Sequence, residues 1–203
     1  MVLTARAYAK INLGLKVCRR RPDGYHDICT IFQQIDLADE LAFEVDREAG
    51  AIGLLCEGAE LPVDERNLVM KAALRLADRV PDKARRTLIV LRKRIPVGGG
   101  LGGGSSDAAT TLRVLNRAWG ANLPEAELLR MARGLGADVP FFLQGGAAFA
   151  TGIGDVLTPI ALWVDPVGVL IVPDVQVSTA WAYGQLKIGL TKRGGCGKFR
   201  RFL

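Results

Sequence analysis

The stretch IPVGGGLGGGSSDAATTLRVLN, Ile95 to Asn116, places six glycines in the seven positions Gly98–Gly104 and then runs directly into helix-forming residues. Glycine loses more conformational freedom on folding than any other residue, so a cluster of this density needs a compensating role. A strand, a glycine loop and a helix N-terminus in succession make an anion site: unpaired N–H groups at the helix start face the anion, and glycine lets the main chain wrap around it. A polyphosphate is the ligand this pattern favours. A Walker A loop requires a lysine directly before its Ser/Thr, and Gly104 occupies that place, which excludes it. Gly98-x-Gly100-x-x-Gly103 matches the dinucleotide fingerprint formally, but such glycine density makes the match nearly automatic. Pro96 and the charged Arg92-Lys93-Arg94 also suit the end of a buried Rossmann strand poorly. A flexible linker would not begin and end on well-patterned elements.

Three further groups could do chemistry. Lys10 and Asn12 alternate with apolar residues on the polar side of an N-terminal segment; a lone lysine there is ordinarily solvated, but this segment is too apolar for an edge strand. Asp138 lies between Gly136-Ala137 and Val139-Pro140-Phe141-Phe142, which makes it either a capped loop carboxylate or a base held in a drier place. Tyr25-His26 follows the turn Pro22-Asp23-Gly24. Such a pair is either hairpin decoration or the stacking surface and hydrogen-bonding edge that a flat heteroaromatic ring requires.

Pro96-Val97-Gly98-Gly99-Gly100-Leu101-Gly102-Gly103-Gly104-Ser105-Ser106-Asp107-Ala108-Ala109 resembles the ATP-binding loop of the GHMP small-molecule kinases. With AKINLGL near the start, RPDGYHDI after it and GADVPFFL later, the chain is similar, from about Ala5 to Tyr183, to the branch acting on 4-diphosphocytidyl-2-C-methyl-D-erythritol in isoprenoid precursor synthesis. The resemblance implies that Lys10 stabilises the incoming alkoxide or the transferring phosphoryl, that Asn12 positions substrate, and that Asp138, with Lys10 nearby, accepts or orients the proton of the attacking hydroxyl. It implies ATP phosphates cradled by the main chain of Pro96–Ser106, Mg²⁺ near the Ser105 hydroxyl, and nucleotide contacts from Lys93 and, more remotely, Asn67. Lys93, one of three consecutive basic residues, has a solvated charge as its alternative. Tyr25 and His26 are implied to hold the cytidine, with Thr179 and Tyr183 closing its other face. Asp107 stands where the family often carries asparagine, and a carboxylate there repels triphosphate unless Mg²⁺ or Lys93 offsets it.

These residues must be positioned by the surrounding elements. Tyr8 to Val17 alternates, with Ala9, Ile11, Leu13, Leu15 and Val17 expected on the buried side. ICTIFQQIDL is expected as the returning strand and Glu40 to Val45 as another. Val69, Ala73, Leu76 and Val80 recur at helical spacing between Asp64 and Val80, with acidic residues at the start. Thr87–Lys93 leads into the loop as a strand. The helix after the loop carries Ala108, Leu112, Leu115 and Trp119 on one face, with Ser105 or Ser106 as N-cap, Asp107 in its first turn and Gly120 as its stop. A further helix is expected from about Pro124 to Leu135, ending at Gly136. ADVPFFL is expected as a loop, AAFATG as a strand and PVGVLIVP as a buried strand. Strands and helices mix without regular alternation, which indicates α+β.

The 203 residues, 49% hydrophobic and 24% charged, suffice for one generous core or one domain and part of another. The expected division is an ATP-binding domain over residues 1–152 and a partial second domain with a tail over 153–203. No apolar run approaches bilayer length, and Arg6, Lys10 and Asn12 interrupt the start where a signal peptide would be apolar, so the cytoplasm and no membrane partner are expected. Cys18, Cys29, Cys56 and Cys196 are scattered and His26 is the single histidine, which argues against a disulfide framework or zinc site. The net charge of +6 resides in six basic residues from Lys187 onward, with no acidic ones; the remainder is neutral. A tail of this kind lacks the basic folded stripe of a nucleic-acid partner. A small-molecule substrate and a monomer or weak homodimer are expected. GHMP kinases continue into a second α/β domain with its own glycine-serine-glycine loop, absent here, so a shortened chain with an uncovered apolar face after about Gly152 is expected. The functional alternatives are a nucleotide-binding fragment without turnover, a GHMP kinase for another alcohol, and the disfavoured dinucleotide oxidoreductase.

Overall fold

Twenty residues from His26 to Val45 carry no glycine or proline, and they form one uninterrupted strand in this computed structural model, which describes residues 1–161, 167–173, 177 and 179–186. The elements in chain order are β1 (Val2–Arg20), β2 (His26–Val45), β3 (Ile52–Glu57), α1 (Leu68–Arg79), β4 (Thr87–Arg92), α2 (Gly103–Ala118), α3 (Glu125–Arg133), α4 (Val139–Gln144), β5 (Ala147–Thr151), β6 (Val156–Ile160) and α5 (Thr179–Gly184). The mixture is α+β, as the patterning indicated. Two compact units share it: Met1–Ala9, Ile35–Val97 and Gly102–Gly145 make the first, and Lys10–Gln34, Gly98–Leu101 and the described residues from Gly146 onward the second. The chain therefore changes unit several times, whereas a division at residue 152 would follow sequence order.

In the first unit, β4 lies between the C-terminal half of β2, antiparallel with Leu41 opposite Leu91 and Phe43 opposite Ile89, and β3, parallel with Leu54 opposite Ile89. β3 was not foreseen, although Ile52, Leu54 and Cys56 alternate. Parallel neighbours need a crossover, and α1 provides it. Its buried stripe of Val69, Ala72, Ala73 and Leu76 packs against α2, whose Ala108, Leu112 and Leu115 are buried. Fully burying each such leucine stabilises the fold by about 2 kcal/mol. The buried Trp119 indole donates to Thr87 Oγ1 at 3.1 Å, tying the end of α2 to the start of β4.

Helix ends differ from expectation in instructive ways. α1 starts after Asn67, whose Oδ1 accepts from Val69 N at 2.9 Å; Asp64 and Glu65 fall in the preceding turn. α3 runs from Glu125 to Arg133 and stops at Gly134. ADVPFFL is not a loop: α4 begins at Val139, with Pro140 in its first turn, where proline's missing N–H is harmless. Gly145, at φ +73°, ends it. α2 is capped by neither serine. Gly102, at φ +71°, occupies the cap position, so Ser105 and Ser106 lie inside the first turn and Asp107 lies beyond it.

In the second unit, the N-terminal half of β2 pairs antiparallel with β5, Thr30 opposite Ala150, and β5 pairs antiparallel with β6. β1 pairs with β2, and the Pro22-Asp23-Gly24 turn joins them as expected: Gly24 has φ +86° and Arg21 N donates to Tyr25 O at 2.8 Å. The burial of β1 reverses the expectation in part. Leu13 and Leu15 are exposed, whereas Lys10 is buried, because the polar side of this strand has specific partners. Residues 167–173, expected within a buried strand, carry no regular structure and are exposed; no described strand offers them a ladder. The basic tail from Lys187 lies outside the described residues.

Candidate functional site: a glycine loop, a buried lysine trio and a polar relay

The first unit holds both ends of the glycine loop. β4 ends at Arg92, and Lys93 turns its side chain inward, 5% exposed, between the carboxylates of Asp39 (0%) and Asp107 (2%). Its Nζ is 2.9 Å from Asp107 Oδ2 and also donates to Asp39 Oδ2. Asp39 Oδ1 accepts from Arg94 N at 2.5 Å and Ile95 N at 2.8 Å. One carboxylate thus holds a lysine and two successive main-chain amides. Asp107 Oδ1 is buried without a hydrogen-bond partner. Burial pushes the Asp107 carboxyl up to about 7; the Asp39 charge adds to the rise and the Lys93 ammonium opposes it. Burial alone would lower Lys93, but the two carboxylates outweigh it and hold the ammonium above the ordinary lysine value. Lys93 is therefore not a solvated surface charge. It supplies the offset that Asp107 was expected to need.

Past the loop, Gly103 begins α2 under close constraint: a Cβ there would lie 3.0 Å from Ile95 Cγ2 and 3.1 Å from Lys93 Nζ. No side chain caps α2, so its first-turn N–H groups have the orientation that accepts an anion. Ser105 is half-buried and Ser106 buried in this turn. Asp138, half-buried, stands immediately before α4 without capping it. Asn67 caps α1 through Oδ1 and donates from Nδ2 to Pro62 O at 2.8 Å.

The loop tip, Gly98–Leu101, belongs to the second unit, where Lys10 N donates to Leu101 O at 2.9 Å. Leu101 is buried while residues 97–100 are exposed. Gly98 and Gly100 have φ +77° and +71°, and a Cβ on either would meet nothing within 4 Å. Glycine is needed there for the left-handed backbone, and the result is a bare, open main-chain surface. Lys10 Nζ lies 4.9 Å from the centre of the Phe32 ring and donates to Asn12 Oδ1 at 2.9 Å. Asn12 Nδ2 donates to Thr30 Oγ1 at 2.7 Å, and Thr30 Oγ1 donates to Gly14 O at 2.7 Å. This directional chain fixes the amide orientation of Asn12 and aims its oxygen at the ammonium. The His26 and Tyr183 rings face each other at 5.2 Å with a 30° tilt. Tyr25 is exposed; Thr179 opens α5, and its side chain lies outside the described residues.

Residues 67–146, from the cap of α1 through α4, match the model of the GHMP kinases N terminal domain. In this segment the chain is similar to the GHMP kinases. The match includes the whole glycine loop and Asp138 of this chain, and leaves Lys10 and the hairpin outside it. It is 49% identical over 183 residues to the 4-diphosphocytidyl-2-C-methyl-D-erythritol kinase of Chlorobium phaeovibrioides, covering 90% of this chain and 62% of that one. It is 47% identical over 192 residues to the enzyme of that name from Salinibacter ruber, covering 92% and 66%. It thus spans less than two thirds of the length of these curated relatives. A crystal structure of 4-(cytidine 5'-diphospho)-2C-methyl-D-erythritol kinase superposes with a TM-score of 0.68 at 44% identity, covering 79% of this chain and 56% of that one. A homoserine kinase from Cytophaga hutchinsonii, 20% identical with a TM-score of 0.63, shares the fold.

Within this chain, the geometry joins His26 to Tyr183 and Lys10 to Asn12, and it assigns Asn67 to helix capping. Two residues were missed by sequence reasoning: Asp39 and Thr30, both fully buried. Each places a short polar side chain on an apolar face of β2, Thr30 between Ile28 and Phe32 and Asp39 between Leu37 and Leu41, which is the signal that could have found them, since a buried polar group demands a partner.

Proposed function

We propose that this chain carries the ATP-binding and phosphoryl-transfer machinery of a kinase that phosphorylates the 2-hydroxyl of 4-diphosphocytidyl-2-C-methyl-D-erythritol. The observation that carries the reading is the 44–49% identity to kinases of that name across most of this chain. The bare glycine surface and the uncapped start of α2 support a triphosphate cradled by the main chain of Pro96, Val97, Gly98, Gly99, Gly100, Leu101, Gly102, Gly103, Gly104, Ser105 and Ser106. Lys93, engaged by two carboxylates, supports this loop from beneath Gly103.

The acceptor oxygen attacks the γ-phosphorus as the bond to the β-phosphate oxygen breaks, and ADP leaves. Negative charge spreads over the transferring group, and an oriented cation such as Lys10 lowers its energy. Asn12, held by Thr30, keeps the Lys10 ammonium aimed. Asp138 takes the hydroxyl proton. Tyr25, His26, Thr179 and Tyr183 bind the cytidine moiety, the paired rings offering a flat apolar surface. Mg²⁺ fits as an ion carried by the nucleotide: among the described residues no group of three His, Cys, Asp or Glu side chains is placed to hold a metal, and Mg²⁺ ordinarily keeps phosphate and water ligands. Ser105 would supply one hydroxyl to it, and the ion would neutralise phosphate charge. Among the described residues no helix is long and apolar enough to cross a membrane.

The test is coupled ADP release by the 203-residue chain with Mg-ATP, with and without the cytidylyl substrate. Substrate-dependent turnover that falls about 10²–10⁴-fold in Asp138→Ala, with ATP affinity preserved, is expected, the usual contribution of a positioned base. Turnover equal with and without substrate, or unaffected by the substitution, refutes the assignment. ATP binding without turnover would identify a nucleotide-binding chain.

A further inference from the structure

Proteins seldom bury two carboxylates on one ammonium for stability alone, because desolvation offsets the attraction and apolar replacements are often equally stable. The trio here stands at the start of the glycine loop, and Asp39 is its centre. One of its oxygens accepts from Arg94 N and Ile95 N, the last amides before Pro96; the other holds Lys93. Lys93 in turn reaches Asp107 on α2 and lies where a Cβ of Gly103 would come within 3.1 Å. β2, the exit of β4 and the first turns of α2 therefore meet through Asp39 and Lys93: Asp39 holds the entry end of the loop, and the Lys93 that it engages reaches the end at α2.

We propose that Asp39 is a positioning residue for the nucleotide: by holding the amides of Arg94 and Ile95 and clamping Lys93 beneath Gly103, it sets the two ends of the glycine loop in the geometry that binds ATP. This rests on the ATP-dependent reading above. The physical reason is the cost of freedom in a glycine chain. Six glycines have many accessible conformations, and a loop that must be ordered on binding loses affinity in proportion to that ordering. Ends fixed in advance remove part of the loss. Loop ends anchored only by apolar packing could slide; two hydrogen bonds to one oxygen and an ion pair below the helix start define direction as well as distance.

The experiment compares wild type, Asp39→Ala and Asp39→Asn, the latter keeping the volume and one accepting oxygen. Mg-ATP affinity is measured by calorimetry, hydrogen exchange is followed at the amides of residues 94–104, and the KM of the cytidylyl acceptor is measured at saturating ATP. The expected result is ATP affinity about tenfold weaker in Asp39→Ala, the effect of one unmet buried hydrogen bond, and less weakened in Asp39→Asn. Exchange should quicken across the loop, and the acceptor KM should stay within about twofold. ATP affinity within twofold of wild type in a folded variant, or unchanged loop exchange, overturns the positioning role while leaving the kinase assignment intact. Parallel loss of ATP and acceptor binding, or failure of both variants to fold, marks a general contribution to the fold and also overturns it. A wild-type chain that binds no ATP overturns both the kinase assignment and this inference.

Discussion

Asp107 is the residue at which charge and burial conflict most directly. Its carboxyl, raised to about 7 by burial against an ordinary value of 3.8, binds its proton more tightly in the folded chain than in the unfolded one. Stability linked to this group is fully present below about pH 4 and is lost as pH rises toward 7. Asp64, lowered to about 2 by Arg66, acts in the opposite sense and loses its contribution as pH falls, so total stability is a poor gauge of either. The difference between wild type and Asp107→Asn isolates the buried site. We expect Asp107→Asn to gain stability relative to wild type between pH 5 and 8, with a flatter pH profile, in urea unfolding series. A larger advantage at low pH than at high pH contradicts this account. An asparagine at this position would leave one carboxylate for one ammonium.

At the scale of elements, the glycine loop separates two demands that sequence presents as one. Gly100 requires its left-handed backbone but has open space around its Cβ position, whereas Gly103 has an ordinary helical backbone and no space. Gly100→Ala should therefore cost about 1–2 kcal/mol, the usual penalty of a left-handed L-residue. Gly103→Ala should cost about 1–3 kcal/mol through overpacking and should also displace Lys93. Chemical denaturation gives both costs. Nuclear magnetic resonance shifts at Asp39 and Asp107 separate them, because only the Gly103 variant should move those carboxylates. Similar shifts in both variants would show that backbone strain and crowding are not distinct here.

For the molecule as a whole, the exposed apolar residues Val167, Val169 and Ile171 are the feature with the broadest consequence. All three are exposed, and contiguous apolar surface of this kind drives association. Sedimentation velocity over a tenfold concentration range should show self-association that Val169→Asp with Ile171→Asp reduces. Unchanged sedimentation in the double variant removes this segment as the cause. The Arg19–Asp27, Arg21–Asp23 and Arg21–Asp27 ion pairs that brace the hairpin lie at the surface and contribute little to stability, so the comparison holds at moderate salt.

Sequence by itself determined the features that are local. The Pro22-Asp23-Gly24 turn, the apolar faces of α1 and α2 and the strand before the glycine loop follow from residue types a few positions apart, and so does the passage of the glycine run directly into α2. Local reading failed where a boundary depends on a competing option: Gly102 displaced the serines as cap of α2, and α4 begins at Val139, with Pro140 in its first turn, where ADVPFFL was expected as a loop. Tertiary structure alone decided which charges are buried. Lys93 lies among consecutive basic residues and reads as solvated until Asp39, 54 residues away, is brought to it. Lys10 reads as the polar side of a half-buried strand until Phe32 and Asn12 enclose it, and His26 finds Tyr183 only through the fold. Periodicity records which face of an element avoids water. The identity of a distant polar partner leaves no periodic trace, because a single buried hydrogen bond can satisfy it from anywhere in the chain.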